Sequence, residues 1–198
     1  GDFGYPKLKF SEKSDTEFVE KLISKTKEKN LSLQTLKKSD LRNHGVDQEL
    51  DHGIMVPLSY LKEAGIKSPI IPISIGFISY EELYEIGQEI ARTARNLDYK
   101  IAVIASGDLS HRLKKGAPAG YNPDAHIFDE KLIEYFKEKD FDSILNFDQD
   151  LVEKAGECGL RPIITMLGAL DGLEVDLKVN SYEGPFGVGY ATVFINPR

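Results

Sequence analysis

A strand–helix–strand pattern between residues 68 and 106 restricts the fold of this chain more than any other feature. The stretches "SPIIPISIGF" and "KIAVIAS" are short, apolar and rich in β-branched residues, so Ile70–Phe77 and Ile101–Ser106 are predicted strands. Between them, "SYEELYEIGQEIARTARNL" opens with a capping box at Ser79 and Glu82 and then repeats apolar residues with a helical period. A helical crossover joins parallel strands in the right-handed sense. We therefore predict a three-layer α/β fold with a central, mainly parallel sheet.

The rest of the chain is predicted to supply further helices and one hairpin. Helical patterns occur in "KSDTEFVEKLISKTKEK", "FDEKLIEYFKEKD", "FDSILNF" and "ECGLRPIITMLGALDGL". "LEVDLKVNSYE" alternates apolar and polar residues and "FGVGYATVFI" is a second predicted strand, so we expect a C-terminal β-hairpin around "EGPF". A length of 198 residues suffices for one sizeable core, and we assign residues 1–198 to a single domain.

Charge and composition argue against several classes of protein. Acidic residues outnumber basic residues by 32 to 25, and a net charge of −7 disfavours non-specific binding to nucleic acid. No apolar run approaches the roughly 18 residues of a membrane span and no signal-peptide pattern occurs, so no membrane association is expected. The single cysteine, Cys158, excludes an internal disulfide and favours a reducing, cytoplasmic location.

The end of the second predicted strand carries titratable side chains. In "IAVIASGDLSHRL", Asp108 and His111 follow the apolar run directly, and Gly107 allows the backbone to turn there. Ligands of open parallel sheets bind beyond the carboxyl ends of the strands. His111 is therefore a candidate general base or metal ligand. The alternative is that Asp108 and Ser110 cap the next turn and that His111 is solvated.

Two other stretches contain candidate site residues. In "LDHGIMVPLSYL", the Asp51 carboxylate could orient the His52 imidazole, although a histidine satisfied by backbone at a helix start gives the same pattern. In "KAGECGLRP", Glu157 and Cys158 lie at a helix start, where the helix dipole favours the ionised carboxylate or thiolate and hence a metal ligand or an activated thiol. Equally, Glu157 could be a capping acid and Cys158 a small core residue.

Four stretches together resemble a known family. They are "LDHGIMVPLSYL", "IAVIASGDLSHRL…APAGYNPDAHIFD", "GECGLRPIITMLGALDG" and "YEGPFGVGYA". In this order they are similar to the class III extradiol ring-cleavage dioxygenases, the LigB-like superfamily. The greatest similarity is to the Memo-like branch, also called AmmeMemoRadiSam system protein B, which is associated with AMMECR1 and radical-SAM partners. The resemblance covers nearly the whole chain.

The resemblance implies roles for individual residues. Members of the superfamily hold non-haem Fe(II) with two histidines and a glutamate, and oxygen and a catecholate bind at the open positions. By resemblance His111 is the acid/base catalytic histidine and His52 is the other histidine that assists catalysis. Glu157 matches the glutamate metal ligand or, alternatively, Cys158 matches the cysteine of the Memo-like branch. Cys158 and Asp108 are therefore kept as further site candidates.

One part of the family pattern is absent from the sequence. The two histidine ligands of the family come from "HPP"-like and "PHG"-like stretches near the N-terminus, and neither stretch occurs here. We therefore expect that this chain lacks the N-terminal segment of the family. We also expect that it holds no tightly bound metal at Glu157 by itself, although the intact family member would bind Fe(II) or zinc.

Three functions remain open on this interpretation. The first is an extradiol dioxygenase that cleaves a small catecholic aromatic substrate. The second is a non-catalytic or accessory Memo-like protein that works beside AMMECR1 and a radical-SAM protein. The third is a zinc-dependent hydrolase that uses the same pocket. The sequence leaves the oligomeric state open.

Overall fold

The computed structural model describes residues 12–35, 50–74 and 76–198. Within these ranges the chain forms seven α-helices and two β-strands. In chain order they are α1 (Thr16–Glu28), α2 (His52–Glu63), α3 (Tyr80–Asn96), α4 (Ala125–Glu138), α5 (Phe141–Leu145), α6 (Gln149–Ala155), α7 (Leu160–Ala169), β1 (Val175–Glu183) and β2 (Tyr190–Pro197). The protein is thus a mixed α/β fold. Asp15, Asp51 and Ser79 each accept a backbone N–H at the start of α1, α2 and α3.

The backbones of helices α3 and α7 approach each other closely, and glycines on both helices make this approach possible. A Cβ on Gly87 of α3 would lie 2.0 Å from the Thr165 carbonyl oxygen, and one on Gly168 of α7 would lie 2.0 Å from the Tyr84 carbonyl oxygen. The same face of α3 carries the predicted apolar residues, so the helix expected from the capping box is confirmed. The backbones of α3 and α7 therefore contact each other directly.

Two clusters of buried apolar side chains stabilise the fold. The larger cluster joins α3 to the helices and strands that follow it, with Phe128, Leu132, Ile144, Leu160 and Ile164 fully buried. The smaller cluster lies between α1 and α3 and is formed by Phe18, Leu22, Ile86, Ile90 and Ala94. Because α3 contributes to both clusters, it connects the N-terminal helix to the rest of the molecule.

The predicted C-terminal hairpin is confirmed. Strands β1 and β2 pair antiparallel, with Val175 opposite Pro197 and Glu183 opposite Tyr190, and with an irregularity between Val179 and Ser181. The predicted "EGPF" turn starts at Glu183, the last residue of β1, and continues into the loop between the strands. Helix α4 packs against β1, so one face of the hairpin is partly buried against the larger cluster.

The predicted central parallel sheet is not observed among the residues that the structure describes. The hairpin is the one sheet in these ranges, and residues 70–74 and 101–106 are not assigned to a strand. Val103 packs with Ile71 and Ile73 against the smaller cluster, while Ile104 is exposed. Apolar, β-branched composition favours an extended segment, but a strand also needs a hydrogen-bonded neighbour, which composition does not specify. The parallel sheet remains a prediction.

No helix in the described part of the chain is both long enough and apolar enough to cross a bilayer.

Candidate functional site

The candidate site forms where two loops, 50 residues apart in sequence, contact each other through their backbones. The Asp108 N–H donates to Cys158 Sγ over 3.1 Å, and the Cys158 N–H donates to the Asp108 carbonyl oxygen over 3.2 Å. Glycines allow this contact. A Cβ on Gly107 would lie 2.6 Å from the Cys158 carbonyl oxygen, and one on Gly159 would lie 2.9 Å from the Asp108 carbonyl oxygen. Small residues in both loops thus bring Asp108 and Cys158 together.

Asp108, His111 and Cys158 form a compact cluster of potential metal ligands. His111 Nε2 lies 3.3 Å from Asp108 Oδ2 and 3.9 Å from Cys158 Sγ. One ligand atom from each of the three residues lies within 4.8 Å of the others. Of the five site residues predicted from the sequence, the structure therefore brings these three together.

The spacing of the cluster fits a small transition-metal ion. Bonds of about 2.0–2.3 Å in a tetrahedral site put neighbouring ligand atoms about 3.3–3.8 Å apart. The two measured separations, 3.3 and 3.9 Å, are close to that range. A thiolate favours zinc or iron over magnesium or calcium. Three protein ligands also leave a coordination position for a further ligand.

The Cys158 thiol is exposed to solvent but lies in surroundings that oppose its ionisation. Partial desolvation raises its pKa, and the negative charges of Asp108 and Glu157 act in the same direction. The hydrogen bond from the Asp108 N–H opposes them by stabilising the thiolate, but the net shift is upward. A cation bound between Asp108 and Cys158 would reverse this balance, because a coordinating thiol is deprotonated by the metal.

Glu157 caps helix α7. Its Oε2 accepts the Leu160 N–H over 2.6 Å, and it is not part of the compact ligand cluster found among the described residues. The helix-start hydrogen bonds favour its ionised form, as the sequence predicts, but burial outweighs them and the net pKa is raised. Burial thus opposes the ionisation of Glu157 that is expected from its position at the helix start. Its role as a metal ligand stays a prediction.

His52 is the first residue of helix α2. The start of this helix lies beside Ser106, which precedes Asp108 and His111 in the loop. Ser106 Oγ donates to the Gly53 carbonyl oxygen over 2.5 Å, so the start of α2 is held against the segment that leads to Asp108. The Asp51 carboxylate accepts the Ile54 N–H over 3.1 Å and so acts as the helix cap. Convergence of His52 with His111 on one cleft stays a prediction.

A buried carboxylate supports the loop, and sequence reasoning missed it. Asp129 in α4 is fully buried, and it accepts the Ser110 N–H over 2.8 Å and the Tyr182 hydroxyl over 2.7 Å. The sequence contains a signal for this residue. Asp129 lies on the same helical face as Phe128, Leu132 and Phe136, where a solvated acid does not belong.

Comparison with known proteins shows the family. The model described as the catalytic LigB subunit of aromatic ring-opening dioxygenase matches residues 1–194. Protein CA_C1420 of Clostridium acetobutylicum is 33% identical over 192 residues, which cover 97% of this chain and 41% of that protein. MEMO1 family protein MJ0403 of Methanocaldococcus jannaschii is 30% identical over 193 residues, which cover 92% of this chain and 61% of that protein. The 3,4-dihydroxyphenylacetate 2,3-dioxygenase of Escherichia coli is 27% identical over 139 residues, which cover 66% of this chain and 50% of that protein. The chain thus spans about half the length of these relatives.

Proposed function

Because the chain belongs to the LigB family of aromatic ring-opening dioxygenase subunits, we propose that it contributes to the active site of a metal-dependent oxidoreductase acting on a small aromatic diol. The observation that carries the proposal is the cluster of Asp108, His111 and Cys158. It combines an acid, an imidazole and a thiol within reach of one ion. The name of the Escherichia coli relative supports the substrate class.

Asp108 and Cys158 are the proposed anionic ligands of the metal. Cys158 Sγ accepts the Asp108 N–H and the Cys158 N–H donates to the Asp108 carbonyl oxygen, so the two residues are held side by side. Ferrous iron bound there would supply open coordination positions for a diolate and for oxygen. Since a thiolate ligand has to stay reduced, we propose a cytoplasmic location. Glu157 is retained as a further ligand candidate because it adjoins Cys158.

His111 is the proposed acid/base residue. Its Nε2 faces Asp108 Oδ2 at 3.3 Å, and this contact orients the ring. Since Nε2 is directed at Asp108, the other ring nitrogen, Nδ1, is the atom proposed to accept a proton from a substrate hydroxyl. His52 is proposed to assist from the start of α2, which the hydrogen bond between Ser106 and Gly53 holds close to the loop.

The proposal retains the parallel arrangement of residues 70–77 and 101–106. That arrangement would place Ser106–His111 at the carboxyl edge of a sheet, where ligands of α/β proteins bind. The extended apolar character of the two segments supports it. A crystal structure of the intact protein in which the two segments lie antiparallel, or in separate sheets, would contradict this part of the proposal.

A second candidate function is an accessory role. Several relatives bear the name MEMO1 family protein, which states no reaction. In this case the protein would bind a metal without turning over a diol and would act beside AMMECR1 and a radical-SAM protein. The two functions differ in one measurable property, the oxidation of a diol by the metal-loaded protein.

The test combines metal titration with a turnover assay. The intact protein is titrated with Fe(II) and with Zn(II) without oxygen, and ring opening of 3,4-dihydroxyphenylacetate is then followed by absorbance in air. We expect Fe(II) binding that Cys158→Ser and Asp108→Asn each weaken at least about tenfold. His111→Gln is expected to abolish turnover. His126→Gln is the matched control, because His126 is an exposed histidine on α4.

Each outcome distinguishes the candidates. Iron binding with diol oxidation supports the dioxygenase. Metal binding without turnover of any diol supports the accessory role. Selective zinc binding with ester or amide hydrolysis would instead support the hydrolase. Metal affinity that is equal in wild type, Cys158→Ser and Asp108→Asn would refute the cluster as the metal site.

A further inference from the structure

Building on the proposed function, we propose that Asp129 is a positioning residue, which together with Tyr182 fixes the backbone at Ser110 so that the imidazole of the next residue, His111, faces Asp108 and Cys158. Asp129 lies on a different element from the ligand cluster. It acts through the backbone of the loop and does not contact the cluster itself.

The Asp129 carboxylate joins two elements. It accepts the Ser110 N–H from the loop over 2.8 Å and the Tyr182 hydroxyl from β1 over 2.7 Å. Each oxygen has one of these donors, so the carboxylate is held at both ends. Ser110 is itself fully buried. The loop is therefore tied to helix α4 directly before His111.

The neighbouring backbone groups complete the fixation. The Ser110 carbonyl oxygen accepts the Gly189 N–H over 2.7 Å, and the His111 N–H donates to the Ala155 carbonyl oxygen over 3.0 Å. Ser110 Oγ also donates to the Ala155 carbonyl oxygen over 3.2 Å. The backbone of Ser110 and His111 is thus held by α4, by the end of α6 and by Gly189, the residue before β2. These bonds fix the backbone from which the His111 side chain projects.

Two features show that a polar acceptor is kept at this position against an energetic and a steric cost. First, burial raises the pKa of Asp129, which means that keeping the charge there costs free energy that an apolar residue would avoid. The ion pairs found in the described ranges do not include Asp129. Second, a Cβ on Gly189 would lie 2.0 Å from Asp129 Oδ2, so the residue before β2 must be glycine for the carboxylate to fit.

Three variants separate positioning from general stability. Asp129→Asn keeps an oxygen acceptor for the Ser110 N–H, Asp129→Leu removes it, and Tyr182→Phe leaves the carboxylate held by one donor fewer. Glu130→Gln is the matched control, because Glu130 is the exposed neighbour on α4. The readouts are urea unfolding, the affinity and visible spectrum of bound Co(II), and the rate at which iodoacetamide alkylates Cys158 in metal-free protein.

We expect Asp129→Leu to weaken Co(II) binding by about ten- to a hundredfold and to alter the Co(II) spectrum, with a smaller loss in Tyr182→Phe. Asp129→Asn should restore affinity to within about threefold of wild type, as should Glu130→Gln. If Asp129→Leu does not fold, Tyr182→Phe and Asp129→Asn still decide the question. Unchanged Co(II) affinity and spectrum in Tyr182→Phe and Asp129→Leu would overturn the proposal.

Failure of the proposed function is distinguishable from failure of this inference. If wild-type protein binds no Co(II), the metal proposal fails, and the positioning role is judged by Cys158 alkylation. Under positioning, Asp129→Leu and Tyr182→Phe change the alkylation rate at least about threefold, whereas Asp129→Asn does not. The same rate in all four proteins would overturn the positioning role.

Discussion

The substitution Gly107→Ala tests whether the backbone contact between the two loops sets the geometry of the site. The added Cβ would lie 2.6 Å from the Cys158 carbonyl oxygen and 2.7 Å from Gly159 Cα. Both neighbours are backbone atoms, so no flexible side chain is able to yield. To reach an ordinary contact of 3.4 Å, the loops have to separate by about 0.8 Å.

This shift predicts two effects of different size. Overpacking of this kind costs about 1–3 kcal/mol in the free energy of unfolding. We expect the larger effect on metal affinity, because ligands need to lie within about 0.2 Å of their ideal distances and the two loops carry different ligands. We therefore expect Co(II) or Fe(II) affinity to fall by at least about tenfold, with the protein still folded at 25 °C.

The assay compares this variant with Gly53→Ala in urea unfolding and in metal titration. A Cβ on Gly53 meets only side-chain oxygens, at 3.4 Å from Asp51 and 3.9 Å from Ser106, and the residue lies in the first turn of α2. We expect no destabilisation, and a gain of up to about 1 kcal/mol from helix propensity. If Gly107→Ala matched Gly53→Ala in both measurements, the reasoning from loop contact to ligand geometry would be refuted.

Three further predictions concern buried or capping carboxylates. Burial raises the pKa of Asp129, so the stability linked to its neutral form is present below an unfolded value of about 4 and is lost as pH rises through the folded pKa. The stability of Asp129→Asn relative to wild type should therefore increase between about pH 4 and pH 7 in urea unfolding, and a constant difference would contradict this. Burial of Glu89 opposes ionisation, but Lys29 and Arg92 outweigh it and lower its pKa. Glu89→Gln should lose about 1–3 kcal/mol at pH 7 and less at pH 3; equal losses at both pH values would exclude the ion pairs as the cause. Glu157→Ala should lose about 1 kcal/mol through the missing helix cap, and Glu157→Gln should recover part of it. Identical unfolding of wild type and Glu157→Ala would rule out a stabilising cap.

Local signals in the sequence were sufficient for some elements of the fold. The capping box at Ser79 and the apolar period that follows it identified α3, because both act within a few residues. The alternation in residues 173–183 identified the hairpin for the same reason. The parallel sheet depends on pairing between distant segments, and composition does not determine which backbone groups pair.

The candidate site was predicted to a similar degree. Asp108, His111 and Cys158 were named from residue type and position, but their proximity depends on the close approach of Gly107 to the 158–159 backbone, which no local pattern specifies. Asp129 was missed because an acid in a charged helix suggests a solvent-facing residue. Its place on the apolar face was visible, but its partners came from residue 110 and from the hairpin.

The contact between Asp108 and Cys158 has a consequence for the order in which the protein folds. The two residues enclose a 50-residue stretch that contains α4, α5 and α6, and closing so long a loop costs entropy that only the docking of those helices repays. We therefore expect the site to assemble late in folding, and an ion that bridges the two loops would act as a cross-link on the folded state. Such an ion would stabilise the folded protein in proportion to the logarithm of the free metal concentration. The temperature of thermal denaturation would then report that concentration.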